Sequence, residues 1–372
     1  ASRSRSSFNS RLIACIPKLI SPHPTRAARC LATSAADSQT TPTQEDASTS
    51  ADMDHHQQTL VQRASLRDPE RYWGEFASLL HWDKPFSRVL TPDPTANPAG
   101  YTWFKDGMLN TCYNAVDRHV ASGHGHQVAI YYDSPLTGEK RQITYKELWE
   151  QVQNFAGVLA SHDLKKGDMV LIYMPMVPEA LISMLACARL GVTHSVVFGG
   201  FAPLEVQKRI NDSKPKLIVA GSCGIEVNKV VPYKEMLDKA IDMSDHKPAH
   251  RIIFQRDAGR VVLDPSRGDL DWNEEMQRIK LAGKHKNECV PVESQHPLYI
   301  LYTSGTTGLP KNLFGSRPGE TVFCASDVGW VVGHSFICYG PLLLGCSTVL
   351  YEGKPVGTPD AGAFFRILQD YK

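Results

Sequence analysis

Residues 298–311 carry an apolar run, Leu298-Tyr299-Ile300-Leu301-Tyr302, into a loop of hydroxyls and glycines closed by a lysine. The loop reads Thr303-Ser304-Gly305-Thr306-Thr307-Gly308-Leu309-Pro310-Lys311. Glycines let a backbone turn tightly and aim N–H groups at an anion. The hydroxyls of Thr303, Ser304, Thr306 and Thr307 are further donors, and Lys311 supplies positive charge. In composition this is a phosphate cradle. It is not a Walker A loop, because Gly308 follows Gly305 too closely and Lys311 is not preceded by glycine. A Gly/Thr-rich turn after a core strand has the same composition, so composition alone leaves both readings open.

Three other stretches hold chemistry-bearing residues. His194 to Phe201 (HSVVFGGF) ends a strand-like run at Phe198, Gly199 and Gly200. Adjacent glycines there mean a turn or a close approach of backbone. Trp330-Val331-Val332 opens a second apolar segment, and Asn114, Asp117, Arg118 and His119 read as a helix end with a local ion pair. Histidines pair at His55-His56 and at His124 and His126. No cysteine or carboxylate stands beside them at ligand spacing, so the expectation is solvated loops and no metal site.

The elements that must hold these residues read as alternating strands and helices. Strands at 128–132 and 141–143 flank a turn and form a hairpin. Thr144 and Glu147 make a capping box, and Tyr145, Leu148, Val152, Phe155 and Leu159 give the helix after it one apolar face. Strands are expected at 169–174, 193–198 and 217–220, with helices at 178–190 and 203–212, the first stopped by Gly191. Another helix is expected between Leu60 and Trp82, with Tyr72, Trp73 and Phe76 ready to pack. This order predicts an α/β fold with a largely parallel sheet. The unbroken apolar runs match strands covered on both faces.

Composition narrows the class. A chain of 372 residues suggests two or more structural units. Lys and Arg total 40 against 39 Asp and Glu, without a long basic stripe after the N-terminus, which argues against a nucleic-acid partner. The longest apolar stretch, 180–192, is interrupted by Arg189 and is too short to span a bilayer, so no transmembrane segment is expected. Nine cysteines without a CxxC pair suit a reducing compartment. The first 36 residues carry Arg3, Arg5, Arg11, Lys18, Arg26 and Arg29 among serines, and the first acid is Asp37. That profile predicts a mitochondrial transit peptide, with a disordered basic tail as the alternative. The polar stretch 33–50 reads as a linker.

The ordered string TSGTTGLPK resembles, residue for residue, the phosphate-loop signature of the AMP-forming acyl-activating ligases. The segment Trp103 to Val120 and the HSVVFGGF segment narrow the resemblance to the short-chain acyl-CoA synthetases of the propionate/acetate type. It covers roughly 60–372, apart from a departure after Lys311, where Asn312 to Gly319 crosses directly and the family has a strand and a helix.

The resemblance implies a large N-terminal domain of the AMP-forming ligase fold, incomplete here. It divides the chain into transit peptide and linker (1–50), an N-terminal cap segment of the acetyl-CoA-synthetase type (51–127) and a partial AMP-binding domain (128–372). It implies small-molecule substrates (a short-chain carboxylate, ATP with Mg2+, and coenzyme A), and the mitochondrial matrix as location. Thr303 and Lys311 become catalytic, and Thr303, Ser304, Gly305, Thr306, Thr307, Gly308 and Lys311 bind nucleotide phosphates. Phe198, Gly199 and Gly200 line the CoA pocket together with Glu226, Val227, Asn228 and Lys229. In that second stretch Lys229 keeps one of the family's two charges, and Glu226 departs from the pattern by bringing a carboxylate. Trp330, Val331 and Val332 form the floor of the acyl pocket. The acetate enzymes carry a threonine where this chain has Val332, so a preference for propionate is expected. Adenine-binding, ribose-binding and C-terminal-domain residues are expected past Lys372. The chain by itself is therefore expected to be inactive, with its last third poorly packed and apolar runs such as 339–344 short of partners. The alternatives are a non-catalytic or mis-assembled product of such a ligase gene, or a nucleotide-binding module of another kind.

Overall fold

The computed structural model describes residues 59, 62–95, 100–302, 316–354 and 357–371. The chain divides into two units, 1–64 and the larger Ser65–Lys372, and the five- and four-stranded sheets both belong to the larger one.

The stretch expected to be helical between Leu60 and Trp82 is helical at 62–67 and, after a break at Asp68, in helix α1, Pro69–Ala77. Asp68 caps it by accepting from the Arg71 N–H at 3.1 Å, and Pro69 sits at its first position. The proline disfavours a helical residue before it, which sets the boundary there. Tyr72, Trp73 and Phe76 do pack, with one another and against Trp103. Strands β1 (Arg88–Asp93) and β2 (Gly100–Lys105) pair antiparallel beside α1, followed by β3 (Met108–Leu109).

The predicted hairpin forms from β4 (Val128–Ser134) and β5 (Glu139–Thr144). Helix α2, Tyr145–Ser161, starts at the capping box: the Thr144 N–H donates to Glu147 and the Glu147 N–H to the Thr144 hydroxyl. Its five predicted core residues are all buried. Strand β6 (Met169–Tyr173) leads to helix α3 (Pro178–Leu190), every residue of which is buried. The helix ends at Gly191 with φ of 67°, and the N–H groups of Gly191 and Val192 close on the carbonyls of Ala188 and Cys187. A side chain at that φ is strained, which is why glycine stops the helix.

Strand β7 (Thr193–Val196), helix α4 (Pro203–Ser213), strand β8 (Leu217–Gly221), the short hairpin β9–β10 (Gly224–Glu226 and Lys229–Val231) and helix α5 (Tyr233–Met243) come next. Then come β11 (His250–Phe254), β12 (Asp269–Asp271) and helix α6 (Trp272–Leu281). Five strands make one parallel sheet in the order β12-β11-β8-β6-β7. Successive residues alternate between its faces. Val170, Ile172, Leu217 and Val219 pack with α2 and α3, while Leu171, Tyr173, Ile218 and Ala220 pack with α4 and α5.

After β13 (Val292–Glu293), strands β14 (Thr321–Phe323) and β15 (Ser347–Tyr351) join β4 and β5 in a second sheet, order β14-β15-β4-β5. A continuous helical run, Val331–Gly333, His334–Tyr339 and Gly340–Leu344, links β14 to β15. Tyr339 and Leu342 are buried in the main core and only Leu344 is open, which corrects the expectation that this run lacks partners. Helix α7 (Ala363–Asp370) packs Ala363 and Ile367 on β15. The two sheets are tied by Arg256, just past β11, whose guanidinium grips Glu352 through both oxygens at 2.6 and 2.8 Å. Tyr132 and Ser134 also donate to that carboxylate.

Candidate functional site

Thr303, Ser304, Gly305, Thr306, Thr307, Gly308 and Lys311 lie outside the described residues. The approach to them is fixed. Tyr299 bridges His194 in parallel, the Ile300 N–H donates to the His194 carbonyl at 2.8 Å, and the His194 N–H donates to Leu298. The run as far as Tyr302 therefore lies beside the edge strand β7 and points the same way, toward the C-terminal end of the sheet. Open parallel sheets bind ligands at that end. Tyr302 is held by its hydroxyl on Asp212 at 2.5 Å and by Arg209, whose guanidinium also covers Phe201.

The same edge gathers the other predicted residues. Phe198 follows β7, and its ring centroid lies 5.4 Å from that of Trp330 and from that of Phe201. Gly329 makes this contact possible, since a Cβ there would stand 2.7 Å from the Phe198 backbone. So the predicted acyl floor and the predicted CoA wall touch. Trp330, Val331 and Val332 are each more than a third exposed. Trp330 is steadied from below, where both the backbone N–H and the Nδ1 of His334 lie near 3 Å from its carbonyl oxygen.

Tyr233 carries no signal in the sequence, yet it organises the side expected to meet CoA. Its ring stacks on Tyr173, and Cβ atoms added at Gly199 or Gly224 would run into it. These close approaches explain both glycines and bring the turn at 198–200 against the β9–β10 hairpin. Gly200 has φ of 86° and open space where a Cβ would be. Glu226, Val227, Asn228 and Lys229 form the hairpin tip, exposed, with the Lys229 ammonium 3.5 Å from the Glu226 carboxylate. The carboxylate thus neutralises the charge a phosphate would meet.

A cavity of about 210 Å3 lies between these residues and the second sheet, lined by Met176, Phe198, Phe323, Asp327, Tyr351 and Lys354 among others. Asp327 is its unusual member. Burial pushes its carboxyl up to about 6, against the lowering effect of the Gly329 N–H that it accepts at 2.7 Å. Apolar walls and an exposed lysine at the rim suit a small anionic ligand with an apolar tail, which the Asp327 carboxylate would oppose when ionised. The one signal for Asp327 in the sequence is its position three residues before Trp330, within the same turn.

One expectation is corrected outright. Asp117 does not pair with Arg118. Arg189 reaches it from α3 and grips both oxygens at 2.8 Å, while Arg118 donates to the carbonyls of Asn114, Leu79 and Leu343. The interruption seen in the apolar stretch 180–192 is the buried half of this ion pair. Cys112, Asp117 and Cys289 bring three metal-type ligand atoms within 4.8 Å, but the guanidinium of Arg189 occupies the place a cation would take. His124 hydrogen-bonds to Ser122 in the exposed wide-turn helix Val120–His124 rather than in the loop expected, and His55 and His56 lie outside the described residues. Among the described residues no helix is long and apolar enough to cross a membrane.

Comparison with known proteins shows the family. The family model described as "AMP-binding enzyme" matches residues 117–372, and that described as "Acetyl-coenzyme A synthetase N-terminus" matches residues 58–115. Acyl-CoA synthetase short-chain family member 3, mitochondrial, of Homo sapiens is 51% identical over 327 residues, which is 83% of this chain and 46% of that protein. A mitochondrial short-chain family member B of Dictyostelium discoideum is 42% identical, over 83% of this chain and 47% of that protein. A propionate–CoA ligase of Escherichia coli is 40% identical, over 83% of this chain and 50% of that protein. The chain spans about half the length of the curated relatives it matches.

Proposed function

The chain belongs to the AMP-binding enzyme family, and from that premise we propose that its residues serve an ATP-dependent short-chain carboxylate–CoA ligase. A short carboxylate attacks the α-phosphorus of ATP to give acyl-AMP and pyrophosphate, and the CoA thiol then displaces AMP. The observation that carries this reading is the meeting of Phe198 and Trp330 at the sheet edge along which the run 299–302 lies. Thr303 to Gly308, with Lys311, would hold the phosphates. Fixed donors of that kind are each worth about 3–4 kcal/mol where charge develops in a transition state. Mg2+ would accompany ATP and offset its charge.

Trp330, Val331 and Val332 take the acyl chain in this reading, and Val332 favours propionate over acetate. One methylene is worth about 1–3 kcal/mol of discrimination, so the preference is moderate. CoA lies along Phe198, Gly199 and Gly200 and the tip Glu226 to Lys229, and Lys229 must release Glu226 to meet a phosphate. Relatives named as mitochondrial and the basic first 36 residues support the mitochondrial matrix as the location. A reporter fused to those residues tests it, and a cytosolic signal contradicts it.

The test of the activity is acid-dependent exchange of pyrophosphate into ATP, with kcat/KM higher for propionate than for acetate. Equal values, or a lead for acetate, would remove the substrate assignment. A second reading, binding without turnover, is favoured by the direct crossing from Asn312 to Gly319. Tight binding of a propyl ester of AMP with no exchange for any short acid would select it.

A further inference from the structure

We propose that Cys112 and Cys289 form a reversible disulfide that staples the segment ahead of α2 to the loop after α6. Both thiols donate toward one carboxylate oxygen, Asp117 Oδ2, at 3.9 and 3.7 Å, and the two sulfurs lie within 4.8 Å of each other. A disulfide needs about 2 Å, and the remaining gap is closed by rotamer changes at the two side chains. The wide helical turn Tyr113–Asp117 sets Asp117 beside Cys112. Cys289 is fixed from both sides: Arg189 donates to the Asn287 carbonyl, the Val290 N–H donates to Arg189, and Asn110 donates to the Val290 carbonyl at 2.8 Å. The thiols therefore face each other on a rigid frame rather than by chance of loop motion.

The surroundings also supply the chemistry. Cys289 is half-buried and open to a small oxidant, while Cys112 is fully buried. Hydrogen peroxide oxidises the Cys289 thiol to a sulfenic acid, releasing one water. The Cys112 sulfur then attacks that sulfur, the S–S bond forms, and hydroxide leaves with the Cys112 proton as a second water. Asp117 accepts from both thiols, and the Arg189 Nη1 lies 3.5 Å from the Cys112 sulfur. The same guanidinium argues against a metal ion at these three ligands. Contact with Cys112 and burial hold the Cys289 thiol well above the ordinary range, so the oxidation is slow.

The experiment treats the reduced full chain with a small excess of hydrogen peroxide, then alkylates, digests and maps the cysteines. The expected product is a Cys112–Cys289 peptide pair two hydrogens lighter than its parts, cleaved by dithiothreitol. The loop it closes is long, so the melting temperature should rise on the order of 5 °C or more. Cys289→Ala should lose both the pair and the shift while keeping the native circular dichroism. Cys112 and Cys289 both still alkylated after oxidation would overturn the proposal. So would a linkage through Cys187 or Cys338, which share the same core. Stoichiometric zinc shielding both thiols from alkylation would also overturn it, in favour of a metal site.

Discussion

Around α3 the charges are buried and matched, whereas at the rim built by Phe198, Trp330 and the 226–229 turn the apolar groups lie open and the ion pair faces water. Arg189 and Asp117 meet at 2.8 Å with the guanidinium fully enclosed, and Arg256 and Glu352 do the same between the two sheets. Lys229 and Glu226 meet at 3.5 Å with both side chains more than half exposed. A buried pair is costly to break because the survivor stays charged in a poor solvent. An exposed pair adds almost nothing to stability and is free to exchange partners. The contrast separates what holds this fold from what is available to a ligand.

The sharpest way to break the comparison is Arg189→Met. Asp117 would be left with Trp149 and two thiols for company, and the expected loss is about 3–5 kcal/mol in urea unfolding. A loss below about 1 kcal/mol would mean that the frame around α3 is not held as described. Adding Asp117→Leu should recover much of the loss, since an apolar pair of similar volume fits where one bare charge does not.

Asp327 sits on the boundary between the two regions, and its effect depends on pH. Its folded value is raised to about 6, above the ordinary value in the unfolded chain. The native state therefore holds this proton more tightly, so its contribution is fully present below about pH 4 and lost as pH rises through 6. Asp327→Asn keeps an acceptor for the Gly329 N–H and removes the ionisation. Relative to the unsubstituted chain it should gain about 1–3 kcal/mol between pH 4 and pH 8. A difference that is flat with pH would show that the carboxyl is not buried as the cavity requires.

A smaller effect is expected at the head of α2. Thr144→Ala removes the capping box and should cost about 1 kcal/mol. At the rim, Glu226→Gln should change stability by less than about 0.5 kcal/mol, as exposed pairs do. A larger loss there would erase the distinction between frame and rim.

The features legible in the sequence are local. The capping box at Thr144, the stop at Gly191 and the hairpin at 134–139 are each decided within a few residues, and each appears as expected. Asp117 points to the wrong partner in the sequence because Arg118 is adjacent, while Arg189 arrives only when α3 packs against the turn at 113–117. Tyr233 carries no spacing signal of its own, and Asp327 only its position three residues before Trp330. Their roles come from burial and from glycines on other segments, Gly329, Gly199 and Gly224. The loop from Thr303 to Lys311 is the plainest signal in the sequence. Its surroundings, rather than the loop itself, are what the described residues add.

The central claim is that the open rim around Trp330 receives a short acyl adenylate. Calorimetric titration of the propyl ester of AMP into the chain and into Trp330→Ala tests it most directly. The account predicts saturable binding to the unsubstituted chain. In Trp330→Ala it predicts binding at least about tenfold weaker, a loss of about 1.4 kcal/mol, with both proteins melting within a few degrees of each other. Equal affinities, or a folded native chain that binds none of the ester, would contradict it.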